Sequence, residues 1–315
     1  MSSLELAKRR SKFKRKALVI GIDKYMIEGA NLAGCVNDAN DVVSSLIVCG
    51  FPPTQVHKIT NERATKTRIV KELAWLVQDA KPGDVLVFYI SSHGSQETDR
   101  DGDEPDRLDE MVIPHNFDWA DESTHLHDDD FHELITEKVP KGVRVEFVFD
   151  TCHSGTGARS VLIRQGMDRT SRYLPNPDQQ HILNTRNPKK EERRAFVLHS
   201  LQREASKAAK EGGGGGEAKK AYVVWSACQA HQLAWELAID GRVRGAFTYN
   251  FCSILRKREG NITRGQFYEL LRLKMADDGY EQIPGLEYGI QEAEKQYPFR
   301  RNFEDDATEI APESQ

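Results

Sequence analysis

The chain has 315 residues, of which 38% are hydrophobic and 30% charged, and its formal net charge is −5. This length and apolar content suit one large or two modest globular domains. No apolar run approaches the roughly 20 residues that cross a membrane, and the basic N-terminus lacks the cleavage site of a secretory signal. Five cysteines without a tight spacing pattern predict a reducing compartment. We therefore expect a cytoplasmic protein without membrane association.

Apolar, β-rich runs alternate with helical patterns along the chain. Near-continuous Val, Ile and Phe in strands that alternate with helices is typical of an α/β fold with a mostly parallel central sheet and helices on both faces. In chain order the sequence predicts a strand at 16–23, a helix at 35–51, a strand at 56–60, a helix at 65–80, a strand at 84–94, a helix at 128–139, strands at 143–155 and 221–229, and a helix at 247–257.

Charge and composition divide the chain unevenly. Between positions 97 and 130 there are 14 acidic and 2 basic residues, whereas positions 159–220 hold 14 Lys or Arg against 7 acidic residues, with scattered prolines and five consecutive glycines. The basic stretch predicts a long linker. It is poor in aromatic residues and contains no recognisable nucleic-acid-binding module, which disfavours a nucleic-acid role. The predicted regions are a basic extension (1–15), a large region (16–158), the linker (159–220), a small region (221–300) and a tail (301–315).

Cys152 lies at the end of a predicted strand and is followed by small residues, which suits a nucleophile at a sheet edge. Its neighbour His153 is a poor general base for it, because successive side chains of a strand point to opposite faces. A parallel sheet supplies a base from the carboxyl end of an adjacent strand. His93 ends its strand in the same way and precedes Cys152 by 59 residues, close to the roughly 50 described for caspases. The other cysteines are interpreted as structural: Cys35, Cys49, Cys228 and Cys252.

The same alternation places Asp150 on the side of Cys152 and Ser91 on the side of His93. If the two strands are neighbours, Asp150 and Ser91 lie together just inside the Cys/His pair. A carboxylate beside the nucleophile is suited to a cationic substrate side chain, and the alternative is a helix cap or an internal ion pair. The pattern predicts cleavage after Arg or Lys.

The chain contains the motifs GCVNDAND (34–41), HGS (93–95) and DTCHSG (150–155) and an acidic run after position 97. Together these motifs resemble the metacaspases, caspase-like cysteine peptidases of family C14, over roughly residues 15–290. The segments around Cys152 and around positions 228–252 look closest to the prokaryotic metacaspase-like group. The resemblance implies a caspase-like fold, a monomer, a His93/Cys152 dyad, protein or peptide substrates with Arg or Lys at the cleavage site, and backbone N–H groups near Gly94 and Cys152 for the oxyanion. It also implies a substrate pocket of Asp38, Ser91 and Asp150.

The acidic run raises the question of calcium. It departs from an EF-hand loop, because Glu104 stands where a glycine is required. By resemblance, three of the four aspartate ligands of calcium-dependent metacaspases match Asp109, Asp128 and Asp129. The fourth ligand position is Arg159, which cannot bind calcium. The sequence leaves two alternatives. Either calcium is a cofactor, or the enzyme is calcium-independent and Arg159 pairs with the acidic loop.

The linker is the natural place for self-processing, because exposed, flexible segments are cut most readily. An uncut connector is the alternative. For the whole chain, the alternative to an endopeptidase is a caspase-like scaffold that acts through protein partners with little turnover. The basic residues expected to be exposed in the linker include Arg164, Arg169, Arg172, Lys190, Arg193 and Arg194.

Overall fold

The computed structural model describes residues 13–98, 108–127, 130–131, 138–152, 169–177, 222–229, 232–288 and 291–299. The described helices are α1 (Cys35–Val48), α2 (Lys66–Val77), α3 (Ala246–Arg258) and α4 (Arg264–Asp277). The described strands are β1 (Arg15–Gly21), β2 (Val56–Thr60), β3 (Val85–Ser91), β4 (Gly94–Thr98), β5 (Leu108–Val112), β6 (Leu126–His127), β7 (Arg144–Asp150), β8 (Arg169–Ser171), β9 (Tyr222–Ser226), β10 (Trp235–Ile239), β11 (Arg242–Gly245) and β12 (Gly285–Tyr288).

A six-stranded sheet in the order β12-β9-β7-β3-β1-β2 forms the centre of the fold. All its neighbouring strands run parallel except the β12/β9 pair. Smaller three-stranded sheets have the orders β11-β10-β8 and β4-β5-β6. This arrangement confirms the predicted α/β fold with a mostly parallel central sheet.

The two faces of the central sheet each carry a hydrophobic core, as strand alternation requires. In β1, Leu18 and Ile20 pack into one core, which α2 covers. Ala17 and Val19 pack into the other core, which α1, α3 and α4 cover. The predicted helices on both faces are therefore confirmed. In the part of the chain that is described, no helix combines the length and apolarity needed to cross a membrane.

Several elements follow local signals that our sequence analysis did not use. The β10/β11 hairpin turns through Asp240 and Gly241, both at positive φ, as a two-residue turn favours. Helix α4 begins at a capping box formed by Thr263 and Gln266. Strand β8 lies inside the region predicted to be a linker without regular structure, so that prediction is wrong for Arg169–Ser171.

Other sequence predictions differ from the structure at their ends. The predicted strand at 84–94 is two elements, because β3 ends at Ser91 and β4 begins at Gly94. The strand predicted at 143–155 ends at Asp150. Most of the predicted helix at 128–139 lies outside the described residues.

Candidate active site

The strands that carry the predicted dyad are neighbours in the central sheet. β3 and β7 pair in parallel, with Ser91 opposite Asp150. The predicted base His93 and the predicted nucleophile Cys152 each follow two residues later, so both leave the same edge of the sheet. This confirms the expected adjacency of the two strand-end motifs.

His93 is held in an orientation that suits a general base. Its Nε2 donates to the Ala30 carbonyl oxygen at 2.8 Å, and since a carbonyl only accepts, Nε2 carries the hydrogen. Nδ1 is therefore the basic nitrogen. It is buried and makes no standard hydrogen bond to another described residue. The backbone N–H of His93 donates to the Tyr25 hydroxyl at 2.9 Å, which fixes the main chain at this point.

The surroundings of His93 favour the neutral ring. Burial lowers the pKa of His93 to about 4, and the carbonyl groups of Ala30 and Arg172 oppose this shift only partly. The ring is therefore neutral near physiological pH and able to accept a proton.

Cys152 is fully buried, and its Sγ donates to the Gln232 carbonyl oxygen at 3.4 Å. The Cys228 thiol donates to the same oxygen at 3.5 Å, so the two sulfur atoms are neighbours. Contact with Cys152 and then burial raise the pKa of the Cys228 thiol well above its usual value. Cys228 thus stays a protonated donor beside the predicted nucleophile. The sequence predicts only a structural role for Cys228, because its position after an apolar strand carries no sign of this contact.

The three predicted pocket residues converge and are all fully buried. Ser91 Oγ donates to Asp38 Oδ2 at 3.1 Å. The Gly245 backbone N–H also donates to the Asp38 carboxylate, and Thr248 Oγ1 donates to Asp150 Oδ2 at 2.5 Å. Burial raises the pKa of Asp38 to about 7; the Arg172 guanidinium opposes this shift and the Asp150 carboxylate adds to it. Two buried carboxylates that influence each other in this way require a cation nearby.

That cation is Arg172, from the region predicted to be an exposed linker. The prediction of exposure is wrong for this residue, which is 0% exposed. Its Nη2 lies 2.5 Å from Asp38 Oδ2, and its Nη1 lies 2.7 Å from Asp150 Oδ2. Glu236 completes the pocket, with Oε2 at 3.6 Å from Nη2. Three buried carboxylates thus surround one guanidinium group.

Glu236 is a pocket residue that the sequence analysis missed. It lies on β10, and its carboxylate accepts hydrogen bonds from the backbone N–H groups of Ala33 (2.9 Å) and Gly34 (3.0 Å). These contacts hold the Glu236 carboxylate at the N-terminal end of α1. The only sign of this role in the sequence is that Glu236 is an acidic residue within an apolar strand pattern.

The main chain around Arg172 is extended across the same edge of the sheet. β8 pairs antiparallel with β10, and the Arg172 N–H donates to the Ala234 carbonyl at 3.0 Å. The Gly94 N–H donates to the Arg172 carbonyl oxygen at 2.9 Å. Farther on, the Leu174 N–H donates to the Gly94 carbonyl at 2.9 Å. The backbone from Arg172 to Leu174 is therefore extended across the site, and hydrogen bonds to Ala234 and Gly94 hold it in place.

The predicted calcium ligands are not brought together by any described contact. Asp109 lies in β5 opposite Glu97, but its side chain is outside the description. Other predicted residues also lie outside the described part of the chain: Asp128, Asp129, His153, Arg159, Arg164, Lys190, Arg193 and Arg194.

Comparison with solved structures shows the class of the fold. A protein of Geobacter sulfurreducens matches with a TM-score of 0.61 at 23% identity, covering 91% of this chain and 98% of that one. Caspase-1 of Spodoptera frugiperda matches with a TM-score of 0.52 at 13% identity, covering 89% of this chain and 88% of that one. The fold is therefore caspase-like.

Comparison of sequences relates the chain to the metacaspases. The family described as "Metacaspase, peptidase C14 domain" matches residues 15–159. Metacaspase-1 of Cryptococcus neoformans is 31% identical over 260 residues, which cover 78% of this chain and 56% of that protein. Metacaspase-1 of Candida glabrata is 38% identical over 150 residues, which cover 45% of this chain and 37% of that protein. These matches support a metacaspase, and the chain spans about half the length of the curated relatives it matches.

Proposed function

We propose that this protein is a cysteine endopeptidase that cleaves after Arg or Lys, and that the bond between Arg172 and Tyr173 is its own processing site. One observation carries the proposal: the Arg172 side chain fills the acidic pocket while its carbonyl oxygen accepts from the Gly94 N–H. A substrate binds to an acyl-transfer enzyme in the same way: its side chain fills a specificity pocket, and its scissile carbonyl oxygen accepts a hydrogen bond from a backbone N–H.

The pocket chemistry supports a preference for basic side chains. Asp38, Asp150 and Glu236 present three carboxylates to one buried cation. The contact with Asp38 is also a charge-assisted hydrogen bond, which is one of the strong kinds. An acidic side chain in the same place would add a fourth buried negative charge without a partner, at a cost of several kcal/mol. Lys would reach fewer of the carboxylates, because its ammonium lacks the forked guanidinium geometry. We expect Arg to be preferred to Lys, and Asp to be rejected.

The proposed reaction uses His93 and Cys152 in turn. His93 Nδ1 accepts the thiol proton of Cys152, and the thiolate attacks the Arg172 carbonyl carbon. The Gly94 N–H, with the predicted help of the Cys152 N–H, stabilises the resulting oxyanion. The bond to the Tyr173 nitrogen breaks as His93 returns the proton to that amine. Water then hydrolyses the thioester, which leaves an Arg172 carboxylate and restores the thiol.

The test is the mass of the chain after incubation. Wild type should yield two fragments that end and begin at Arg172 and Tyr173, whereas Cys152→Ala should remain intact. Arg172→Ala should lose this cut and Arg172→Lys should keep it at a lower rate. Arg164→Gln, which changes another linker arginine, is the matched control and should be cut like wild type. Equal cutting of Cys152→Ala would contradict the proposal.

A caspase-like scaffold without turnover would hold Arg172 in the same pocket but leave the bond intact. Fluorogenic peptides that end in Arg, Lys or Asp separate the two possibilities. Turnover of the Arg peptide by wild type, but not by Cys152→Ala, supports the endopeptidase. No turnover of any of the three, together with an uncut chain, supports the scaffold.

A further inference from the structure

A cluster of two imidazoles and one carboxylate lies outside the acidic pocket, on the small β4-β5-β6 sheet. His127 Nε2 is 2.7 Å from Glu97 Oε1, and His125 Nδ1 is 3.5 Å from Glu97 Oε2. The three donor atoms all lie within 4.8 Å of one another. Glu97 comes from β4 and His127 from β6, so the cluster joins the two outer strands of this sheet across β5.

His125 is fixed in the way metal-binding histidines are. Its side chain is 1% exposed, and its Nε2 donates to the Asp118 carbonyl oxygen at 2.9 Å. That hydrogen bond sets the tautomer, so the lone pair lies on Nδ1, the nitrogen that faces Glu97. The Phe117 ring stacks on the imidazole at 4.7 Å and holds its plane. A second ring nitrogen that donates to a backbone carbonyl is the usual support of a metal-bound histidine.

We propose that Glu97, His125 and His127 bind a divalent ion of the zinc class. Imidazole is a preferred ligand of zinc, copper and nickel, whereas calcium takes oxygen ligands. Three protein ligands of the types His, His and Glu, with a fourth position open to water, match zinc sites that are accessible from solvent. Glu97 and His125 are buried, and the partly exposed His127 leaves a way in for the ion.

A simple ion pair is the competing explanation, and the chain contains one for comparison. His57 Nδ1 lies 2.7 Å from Glu72 Oε2, the same separation as His127 to Glu97. Glu72 also pairs with Arg68 at 2.6 Å instead of with a second imidazole. The His57/Glu72 pair therefore offers two metal donors, and among the described residues it has no third one. His57 is therefore a matched control.

The proposed site is also distinct from the predicted calcium ligands, although Asp128 and Asp129 directly follow His127 in the sequence. Carboxylates alone would bind calcium and zinc through the same oxygen atoms. A site with two imidazoles should bind zinc in the presence of excess calcium. Competition between the two ions therefore separates the alternatives.

The experiment is calorimetric titration of zinc chloride into the full chain in the Cys152→Ala background, which removes the reactive thiol and any self-cleavage. We expect saturable binding of one zinc ion per chain in excess calcium. Glu97→Gln and His127→Gln should each weaken the affinity by more than the roughly 10–100-fold typical of changes to supporting residues. His57→Gln should bind zinc like the parent.

Cobalt absorption and thermal unfolding provide two further tests of the site. Cobalt bound in place of zinc should give visible absorption that is lost in Glu97→Gln, and zinc should raise the Tm of the parent but not of that variant. Similar Tm values for the metal-free proteins would show that the variants are folded. Absence of saturable binding, equal binding by all variants, or displacement of zinc by calcium would each overturn the proposal. Because the parent lacks Cys152, none of these outcomes depends on peptidase activity.

Discussion

The Arg172 carbonyl oxygen accepts a 2.9 Å hydrogen bond from the backbone N–H of Gly94, while the Arg172 side chain is buried among carboxylates. The two ends of one residue thus occupy the predicted oxyanion site and the predicted specificity pocket. The chain presents to its own site a residue of the type that the pocket would accept from a substrate.

Removal of the Arg172 charge should destabilise the uncut protein in a pH-dependent way. In the Cys152→Ala background we expect Arg172→Ala to lower the free energy of unfolding by about 3–5 kcal/mol at pH 8. Burial already raises the pKa of Asp38 to about 7, so the native state holds that proton more tightly than the unfolded state does. Stability contributed by this group falls as pH rises from about 4 to 7.

Without the opposing guanidinium the pKa of Asp38 should rise further, so the fall in stability should extend to higher pH. The loss caused by Arg172→Ala should therefore be smaller at pH 5 than at pH 8. Urea unfolding at pH 5 and pH 8 measures the free energy of unfolding of both proteins. Arg172→Lys, which keeps a cation, should lose less at pH 8. A loss that is equal at both pH values would argue against uncompensated carboxylates as the cause.

His93 should titrate far below an ordinary histidine while the Arg172 segment is bound. Burial lowers its pKa to about 4, so NMR of the uncut Cys152→Ala protein should show the ring neutral above about pH 5. The unfolded state takes up the proton near 6.5, so stability should fall as pH drops from about 6.5 to 4. A His93 midpoint near 6.5 would contradict the buried, neutral base.

Glu236→Gln should weaken the preference for arginine without abolishing turnover. The amide oxygen can still accept from Gly34, but the third charge near the guanidinium is lost. The Glu236 carboxylate lies 3.6 Å from Arg172 Nη2, beyond hydrogen-bond distance, and attracts the guanidinium by charge alone. We expect kcat/KM for an Arg peptide to fall about 10-fold, which corresponds to about 1.4 kcal/mol. Glu269→Gln, on an exposed helix surface, should be neutral. An unchanged ratio of Arg to Lys turnover would rule out a role for Glu236 in specificity.

Cys228→Ala should slow the chemical step modestly. The thiol of Cys228 adjoins Cys152, and loss of one neutral hydrogen bond is worth about 0.5–1.5 kcal/mol. We expect kcat to fall about 3–10-fold with little change in KM. Cys49→Ala also empties a buried thiol position, but that thiol contacts the Leu255 carbonyl. If both variants lose kcat equally, the effect is one of general packing.

Calcium should matter little to turnover if Arg159 replaces a ligand. We expect a calcium chelator to change the rate on an Arg peptide by less than about twofold, since an arginine at a ligand position opposes cation binding. Arg159→Asp should then respond to added calcium more strongly than wild type does. Loss of wild-type activity in the chelator, restored by calcium, would contradict this expectation.

The sequence by itself determined the main strands and the two strand-end motifs. Buried parallel strands have a strong local signature, and β2 was predicted at its observed bounds. Strand alternation and the logic of a parallel sheet then placed Ser91 beside Asp150. Those inferences need only the period of two along a strand and the rule that parallel strands end at one edge.

The tertiary structure alone decided what fills the acidic pocket. Arg172 and Asp38 are 134 residues apart, and Glu236 approaches from the other half of the chain. Locally, Arg172 lies in a basic, proline-containing stretch that has the composition of an exposed linker. A charged side chain is buried there only because distant carboxylates compensate for its lost hydration, and no local pattern encodes that pairing.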